Sequence, residues 1–134
     1  MSASVKSPLS LVFTKLIVED LDAMAVFYGR LCGFVEEASA DDQIGGRPIR
    51  ELNFRSDPPG TGSFTLTKFL DSPRLKNDAV ILGFIADDID GFVSRSVAAG
   101  ASLVEGVQSR PEHGVKVAFV RDVEDNLIEV VELL

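Results

Sequence analysis

The sequence predicts an α+β fold of two tandem βαβββ modules, their strands forming a curved mixed sheet with a cleft. Three observations carry this expectation. Asp20–Leu21–Asp22 recurs as Asp88–Ile89–Asp90, an offset of 68 residues. The apolar runs ahead of the two motifs share that offset, and each half then reads as strand, helix and three strands. Neither half is large enough to bury a core well by itself, so the two are expected to act as paired modules of one fold. Helices would cover one face of the sheet and leave the other to form the cleft. The 134 residues are read as a single domain, 1–134, with module one at about 10–70 and module two at about 79–134.

The elements follow in order. Residues 1–9 are small and polar, with Pro8, and are expected to fray. Residues 11–18 are rich in β-branched and apolar side chains and read as a strand. Asp20 is placed to cap a helix. Leu21, Met24, Phe27, Tyr28 and Leu31 follow at helical spacing, Asp22 suits the helix dipole, and Gly33 suits the left-handed stop. A strand begins at 34–38, residues 41–46 read as a turn-rich break, and 47–55 alternate like a half-buried strand. Residues 57–62 (DPPGTG) read as a loop, 63–69 as another strand, and 71–78 as a polar linker.

The pattern then restarts, with a strand over 79–86 and Asp88 as a second helix cap. Ile89, Phe92, Val93 and Val97 lie on one helical face, and Gly100 ends that helix. A strand over 101–107, a loop over 109–114 and a closing hairpin over 116–134 complete the chain. In the hairpin, Val117, Phe119, Ile128, Val130, Val131 and Leu133 are apolar enough for a core, yet Glu129 sits among them. A buried ionised carboxylate requires a partner, water or a function.

Composition narrows the function classes. Net charge is −8, a poor surface for nucleic acid, whose binding rests on phosphate neutralisation by Lys and Arg. The same charge favours cationic partners or simply keeps the chain in solution. The single cysteine, Cys32, excludes an intrachain disulfide and a multi-cysteine metal cluster, and reads as a small packed hydrophobe rather than a nucleophile. No apolar run approaches the ~20 residues of a membrane span, and no signal peptide is read, so the expected compartment is the cytoplasm. The Gly45–Gly46 and Gly60–Thr61–Gly62 pairs open no helix and read as turns, not phosphate loops.

Residues 13–34 (FTKLIVEDLDAMAVFYGRLCGF) resemble the opening motif of the vicinal oxygen chelate superfamily. That superfamily holds glyoxalase I, the extradiol dioxygenases and the bleomycin- and fosfomycin-resistance proteins. Residues 117–132 (VAFVRDVEDNLIEVVE) resemble its closing turn and last strand, with Val123 and Asp125 where the usual turn has Pro and Gly. Asp enters the left-handed region more readily than most residues, so the turn is expected to survive. The resemblance implies the glyoxalase/bleomycin-resistance fold and a homodimer whose clefts draw on both chains. It also implies a divalent metal held at four strand positions. Carried over one by one, these are Phe13, Thr65, Ile81 and Glu129, and only Glu129 has the expected ligand chemistry. Phe and Ile cannot bind a metal, and a lone Thr hydroxyl is a poor ligand. The chain has one histidine, His113, so each of two symmetric sites could draw on at most one. An all-carboxylate magnesium or manganese site would have to enlist Glu51. The expectation is therefore no metal and no other cofactor.

Two readings of Glu129 stay open. It is a residual carboxylate facing the cleft and held by a cation such as Lys15, which shares a strand face with Phe13. Alternatively, it is a recognition or general-base carboxylate whose pKa is raised by apolar neighbours such as Ile81. His113 reads as a surface loop residue, or as an acid–base partner of Glu129 if its loop closes over the cleft. Phe13, Phe54 and Phe69 are candidate apolar walls. Three functions are weighed: a metal-independent small-molecule-binding protein similar to the bleomycin-resistance type; an enzyme of lyase, isomerase or dioxygenase type, using a rearranged carboxylate metal site or metal-free Glu129/His113 chemistry; and a regulatory protein without a bound small molecule. The first is preferred, with a ligand-binding cleft of Phe13, Lys15, Glu51, Thr65, Ile81 and Glu129.

Overall fold

The computed structural model describes residues 13–44, 46–55, 63–74 and 79–134. The expected frayed arm at 1–9, the loop at 57–62 and the second half of the linker, 75–78, lie outside the described residues. So does Gly45 of the first glycine pair.

Module one comprises β1 (Phe13–Ile17), α1 (Leu21–Cys32), β2 (Val35–Ile44), β3 (Arg47–Arg55) and β4 (Ser63–Phe69). Module two comprises β5 (Leu82–Ile85), α2 (Ile89–Ala98), β6 (Ser102–Arg110), β7 (Val115–Arg121) and β8 (Leu127–Leu133), with a 3-10 turn at Pro111–His113. The described strands form two four-stranded mixed sheets, ordered β1-β4-β3-β2 and β5-β8-β7-β6. The first pair in each sheet is parallel and the other two are antiparallel. The 68-residue repeat is thus a repeat of topology, and it extends to register. Lys15 pairs with Thr65 across β1 and β4, and Gly83, 68 residues on from Lys15, pairs with Glu129 across β5 and β8.

Local chemistry explains both helices. Asp20 caps α1 by accepting from the Ala23 N–H at 3.0 Å, and Gly33 ends it at φ 66°. All five apolar residues spaced for one face, Leu21, Met24, Phe27, Tyr28 and Leu31, are buried. Asp88 caps α2 by accepting from Gly91 N–H at 3.1 Å. A Cβ at position 91 would stand 2.5 Å from the capping carboxylate, so glycine there lets the cap keep this geometry. The buried residues of α2 are Ile89, Phe92 and Ser96. Val97, expected inside, is exposed, and Ser96 takes its place by bonding its hydroxyl to the Val93 carbonyl at 2.7 Å. The helix stops at Ala98, with Gly100 two residues on at φ 110°.

Three strand boundaries differ from expectation. Residues 41–44, read as part of a break, continue β2, because the Asp41 carboxylate is held extended by a 2.7 Å bond from Arg50 on the next strand. The turn falls to Gly46 at φ 79°. β6 runs on to Arg110, paired with Val115, where a loop was expected. β5 is only four residues long, so Val80 and Ile81 precede the strand instead of lying in it.

One hydrophobic core serves both modules. It joins Met24, Phe27, Tyr28, Leu52, Phe54 and Leu66 of module one to Leu82, Ile89, Phe92, Val120, Ile128 and Val130 of module two. Polar contacts fasten the join. Tyr28 Oη donates to Asp122 at 2.6 Å, and the Glu124 carboxylate accepts from the N–H groups of Glu19 and Asp20 at 2.9 and 2.8 Å. The Arg74 guanidinium spans the seam, donating to the Ile17 carbonyl at 3.1 Å and to Asn126 Oδ1 at 2.6 Å. The closing hairpin is apolar on both faces. Ala118, Val120, Ile128 and Val130 enter the core, whereas Val117, Phe119 and Val131 are half-buried on the opposite face and Leu133 is 65% exposed. Asp125 carries the turn at φ 66°, as its chemistry allows.

Candidate functional site

Side chains alternate across a strand, so residues whose partners lie on the core face define the other face by exclusion. In module one the face turned away from the helices carries Lys15 on β1, Thr65 and Thr67 on β4, and Glu51 and Asn53 on β3. These are hydrogen-bonded to one another. Lys15 Nζ lies 2.6 Å from Glu51 Oε2, the Thr67 hydroxyl donates to the same oxygen at 2.9 Å, and the Thr65 hydroxyl donates to Asn53 Oδ1 at 2.6 Å. The Glu51 side chain is only 12% exposed, and the ammonium and the hydroxyl compensate its removal from water. Lys15 is therefore the partner of Glu51, not of Glu129. The reading in which Lys15 holds Glu129 is corrected, because a carboxylate on its own sheet reaches it first.

Module two presents the same face with opposite chemistry. The residues level with Glu129 are Phe119 on β7, Glu105 on β6 and Gly83 on β5. The corresponding row in module one is Thr65, Asn53, Ala38 and Lys15. Each sheet also has a register shift on its outer strand beside this row, between Glu36 and Ala38 in one and between Leu103 and Glu105 in the other. Beyond the row, Val117 and Val131 replace Glu51 and Thr67. Among the described residues, neither the Glu129 nor the Glu105 side chain has a hydrogen-bonded or ionic partner. Arg121 lies two residues from Phe119 on this face, but its guanidinium donates to the Asp125 carbonyl at 2.8 Å.

The structure brings Lys15, Glu51 and Thr65 together on one sheet and sets Glu129 on the other. Phe13 and Ile81, themselves 68 residues apart, are both about half exposed. Phe54 is not a cleft wall but a core residue, stacked with Phe64. Phe69 carries the Arg47 guanidinium 3.9 Å above its ring. His113 is exposed in the turn before β7. Register places Val115 opposite Leu133, four residues along β8 from Glu129, or roughly 13 Å at strand rise. Within one chain His113 therefore lies well beyond hydrogen-bond reach of Glu129. Sequence reading did not place Gly83, Phe119 and Glu105 in one row with Glu129. Adding the 68-residue offset to Lys15 would have found the first.

Of the four positions implied for a metal, only Glu129 carries the chemistry of an expected ligand. Phe13 and Ile81 have no donor atom, and Thr65 spends its hydroxyl proton on Asn53. Among the described residues no three His, Cys, Asp or Glu side chains converge to hold an ion. Among the described residues hollows lie elsewhere, one of about 240 Å³ beside Arg47, Phe69 and Arg74 and two others. One, of about 170 Å³, opens on the seam between β1 and β5, where its two cations, Lys15 and Arg74, are already engaged. The other, of about 430 Å³, lies where the end of α1 meets the start of α2 and includes Cys32, whose thiol burial pushes up to about 12. None includes Glu129, which stands on an open sheet face. No described helix is long and apolar enough to cross a membrane.

The profile of the Glyoxalase-like domain family matches residues 11–131. The chain belongs to that family and, with it, to the glyoxalase/bleomycin-resistance/dioxygenase, or vicinal oxygen chelate, superfamily. Solved structures agree on the fold. A glyoxalase family protein from Bacillus cereus superposes with a TM-score of 0.79 at 23% identity, covering 99% of each chain. TioX from Micromonospora sp. ML1 gives 0.68 at 26% identity, covering 93% of this chain and 99% of its own. A glutamate-to-glutamine variant of the fosfomycin resistance protein FosX from Listeria monocytogenes gives 0.70 at 17% identity, covering 96% and 95%. That FosX structure holds manganese and a dihydroxypropylphosphonic acid. No curated protein matches the chain in sequence.

Proposed function

We propose that this chain is a small-molecule-binding member of the superfamily that works without the family's metal and holds its ligand in clefts between two protomers. The donor set carries the reading. Of the four positions implied for the metal, one is a carboxylate, one a hydroxyl engaged in its own sheet, and two are hydrocarbon. The dimer is supported by the exposure of the Glu129 face, where Ile85 and Leu133 stand 71% and 65% open to solvent. An apolar surface of that kind is stabilised by a second surface placed over it. A cytoplasmic setting accords with the single half-buried thiol. The enzymatic alternative, with Glu129 and His113 as an acid–base pair, gains no support from the register that separates them.

Elemental analysis of protein purified without chelators tests the first half of the proposal. Near-stoichiometric zinc, nickel, iron or manganese would overturn it. Sedimentation at micromolar concentration tests the second, with a dimer expected and a monomer counting against a shared cleft.

A further inference from the structure

The two modules display the same row of positions with different occupants, and the difference identifies what module two lacks. In module one the β1 member of the row is Lys15, whose ammonium crosses β4 to the Glu51 carboxylate at 2.6 Å. In module two the β5 member is Gly83, directly beside Glu129. A Cβ at Gly83 would meet nothing within 4 Å, so the ground a lysine covers in one module is open in the other. The rest of the row is Phe119, then Glu105. Neighbouring strands stand ~4.8 Å apart, so the two carboxylates flank the aromatic ring at roughly 10 Å from each other. Among the described residues neither carboxylate side chain has a partner. Val117 and Val131 line the next row apolar. The surrounding field has the same sign: residues 79–134 contain ten acidic against four basic residues, so −6 of the chain's −8 lies in module two.

Resting on the small-molecule reading above and extending it, we infer that module two binds an organic ammonium group. The cation fills the place beside Gly83 that the Lys15 ammonium fills in module one, hydrogen-bonded to Glu129, with the ligand's apolar part over Phe119, Val117 and Val131. Each part of the row has a task. Glu129 supplies the acceptor oxygens that three ammonium donors require. Phe119 offers a ring face, which attracts a cation as well as an apolar group. Gly83 leaves the space. Glu105 adds a second negative charge on the far side of the ring and favours a cation over an anion anywhere along the row. The ligand class is thus a primary or secondary amine carrying an aryl or alkyl body. Its carboxylate and neutral isosteres are discriminated against by the unpaired acceptors they would leave.

Benzylammonium, benzyl alcohol and benzoate are nearly equal in shape and differ in charge, so they separate the contributions. Titration of the dimer, followed by backbone amide shifts, is expected to show benzylammonium perturbing Gly83, Phe119 and Glu129 and binding about tenfold more tightly than benzyl alcohol, with benzoate weakest. In Glu129→Gln that tenfold advantage should disappear while benzyl alcohol is unaffected. Gly83→Lys, which places an internal ammonium where the ligand's would go, should abolish benzylammonium binding. Equal affinity for benzylammonium and benzyl alcohol at these same residues would overturn the ammonium inference and leave the binding cleft standing. An unchanged benzylammonium affinity in Gly83→Lys, with native amide dispersion, would do the same. No perturbation of the row by any of the three up to about 10 mM would overturn both the inference and the cleft on which it rests.

Discussion

Tyr28 on α1 donates a 2.6 Å hydrogen bond to Asp122 in the closing turn, 94 residues away in sequence and buried with it. This contact ties the first helix of module one to the last hairpin of module two. Asp122 is the hub of that turn, since it also accepts from the N–H groups of Glu124 and Asn126 at 2.8 and 2.9 Å and from the Asn126 amide. Burial, reinforced by the Asp122 charge, raises the Tyr28 pKa far above its ordinary value and keeps the phenol a donor throughout the accessible pH range. Tyr28→Phe removes one donor from a buried carboxylate and preserves the ring contacts with Phe27 and Phe64. The expected loss is about 1.5–3 kcal/mol, read as a lower urea midpoint at unchanged m. A loss below ~0.5 kcal/mol would mean that the backbone donors of the turn satisfy Asp122 without the tyrosine.

The Lys15–Glu51 pair is half-buried, and its worth is measurable independently of ligand. A double-mutant cycle with Lys15→Met and Glu51→Gln is expected to give a coupling energy of about 1 kcal/mol, since Lys15 remains a third exposed and water screens the pair. Glu51→Gln alone should also perturb the Thr67 amide, whose hydroxyl shares the same oxygen. A coupling of zero would show that each side chain is satisfied by water.

Acid should weaken the fold at its rim. The Arg74 backbone N–H, followed by Lys68, holds the Glu19 carboxyl below its ordinary 4.5. Hydrogen bonds from Arg50 and Arg47 hold Asp41 and Asp71 below 3.8. Depressed carboxylate values favour the folded state by a contribution fully present above the ordinary values and lost as pH falls through the lower folded ones. Denaturation midpoints are thus expected to be level on this account above about pH 5 and to decline toward pH 3. Because all three groups are exposed, 0.5 M salt should shrink the decline. A decline untouched by salt would place its origin in buried groups.

Cys32 gives a fourth measurement. Its thiol, pushed up to about 12 by burial despite the opposing Arg95 charge, holds little thiolate at neutral pH. Native protein at pH 8 should react with iodoacetamide on the order of a hundredfold more slowly than the chain in urea. Equal rates would mark the thiol as open and ionised.

Much of the fold was legible because its signals are local. The stripe on α1, the caps at Asp20 and Asp88, the stop at Gly33 and the left-handed Asp125 each depend on a few neighbouring residues. The repeat was legible because both copies keep the same signals. The closing hairpin was not sorted into inward and outward residues, since Val117, Phe119 and Val131 are as apolar as Val120, Ile128 and Val130, and a period of two shows only where polarity alternates. The pairing of Lys15 with Glu51 was hidden for a different reason. β1 and β3 become neighbours across β4 only through the strand order, which brings together two side chains 36 residues apart. Glu129 stood out in the sequence as a carboxylate in an apolar run, but the positions beside it, Gly83 and Phe119, required the register.

β2 forms the outer boundary of the first sheet, and all ten of its residues are exposed. Such a strand offers unpaired amide and carbonyl groups on which another chain could grow. This one carries Glu36, Glu37, Asp41 and Asp42, of which, among the described residues, only Asp41 is ion-paired, with Arg50. Two such strands brought side by side would set like charges against each other, so carboxylate repulsion opposes edge-to-edge fibre growth at neutral pH. The protection is electrostatic and therefore weakest near the isoelectric point of about 4.5, where the chain loses the net charge that keeps copies apart. There this strand becomes the place where self-assembly would begin.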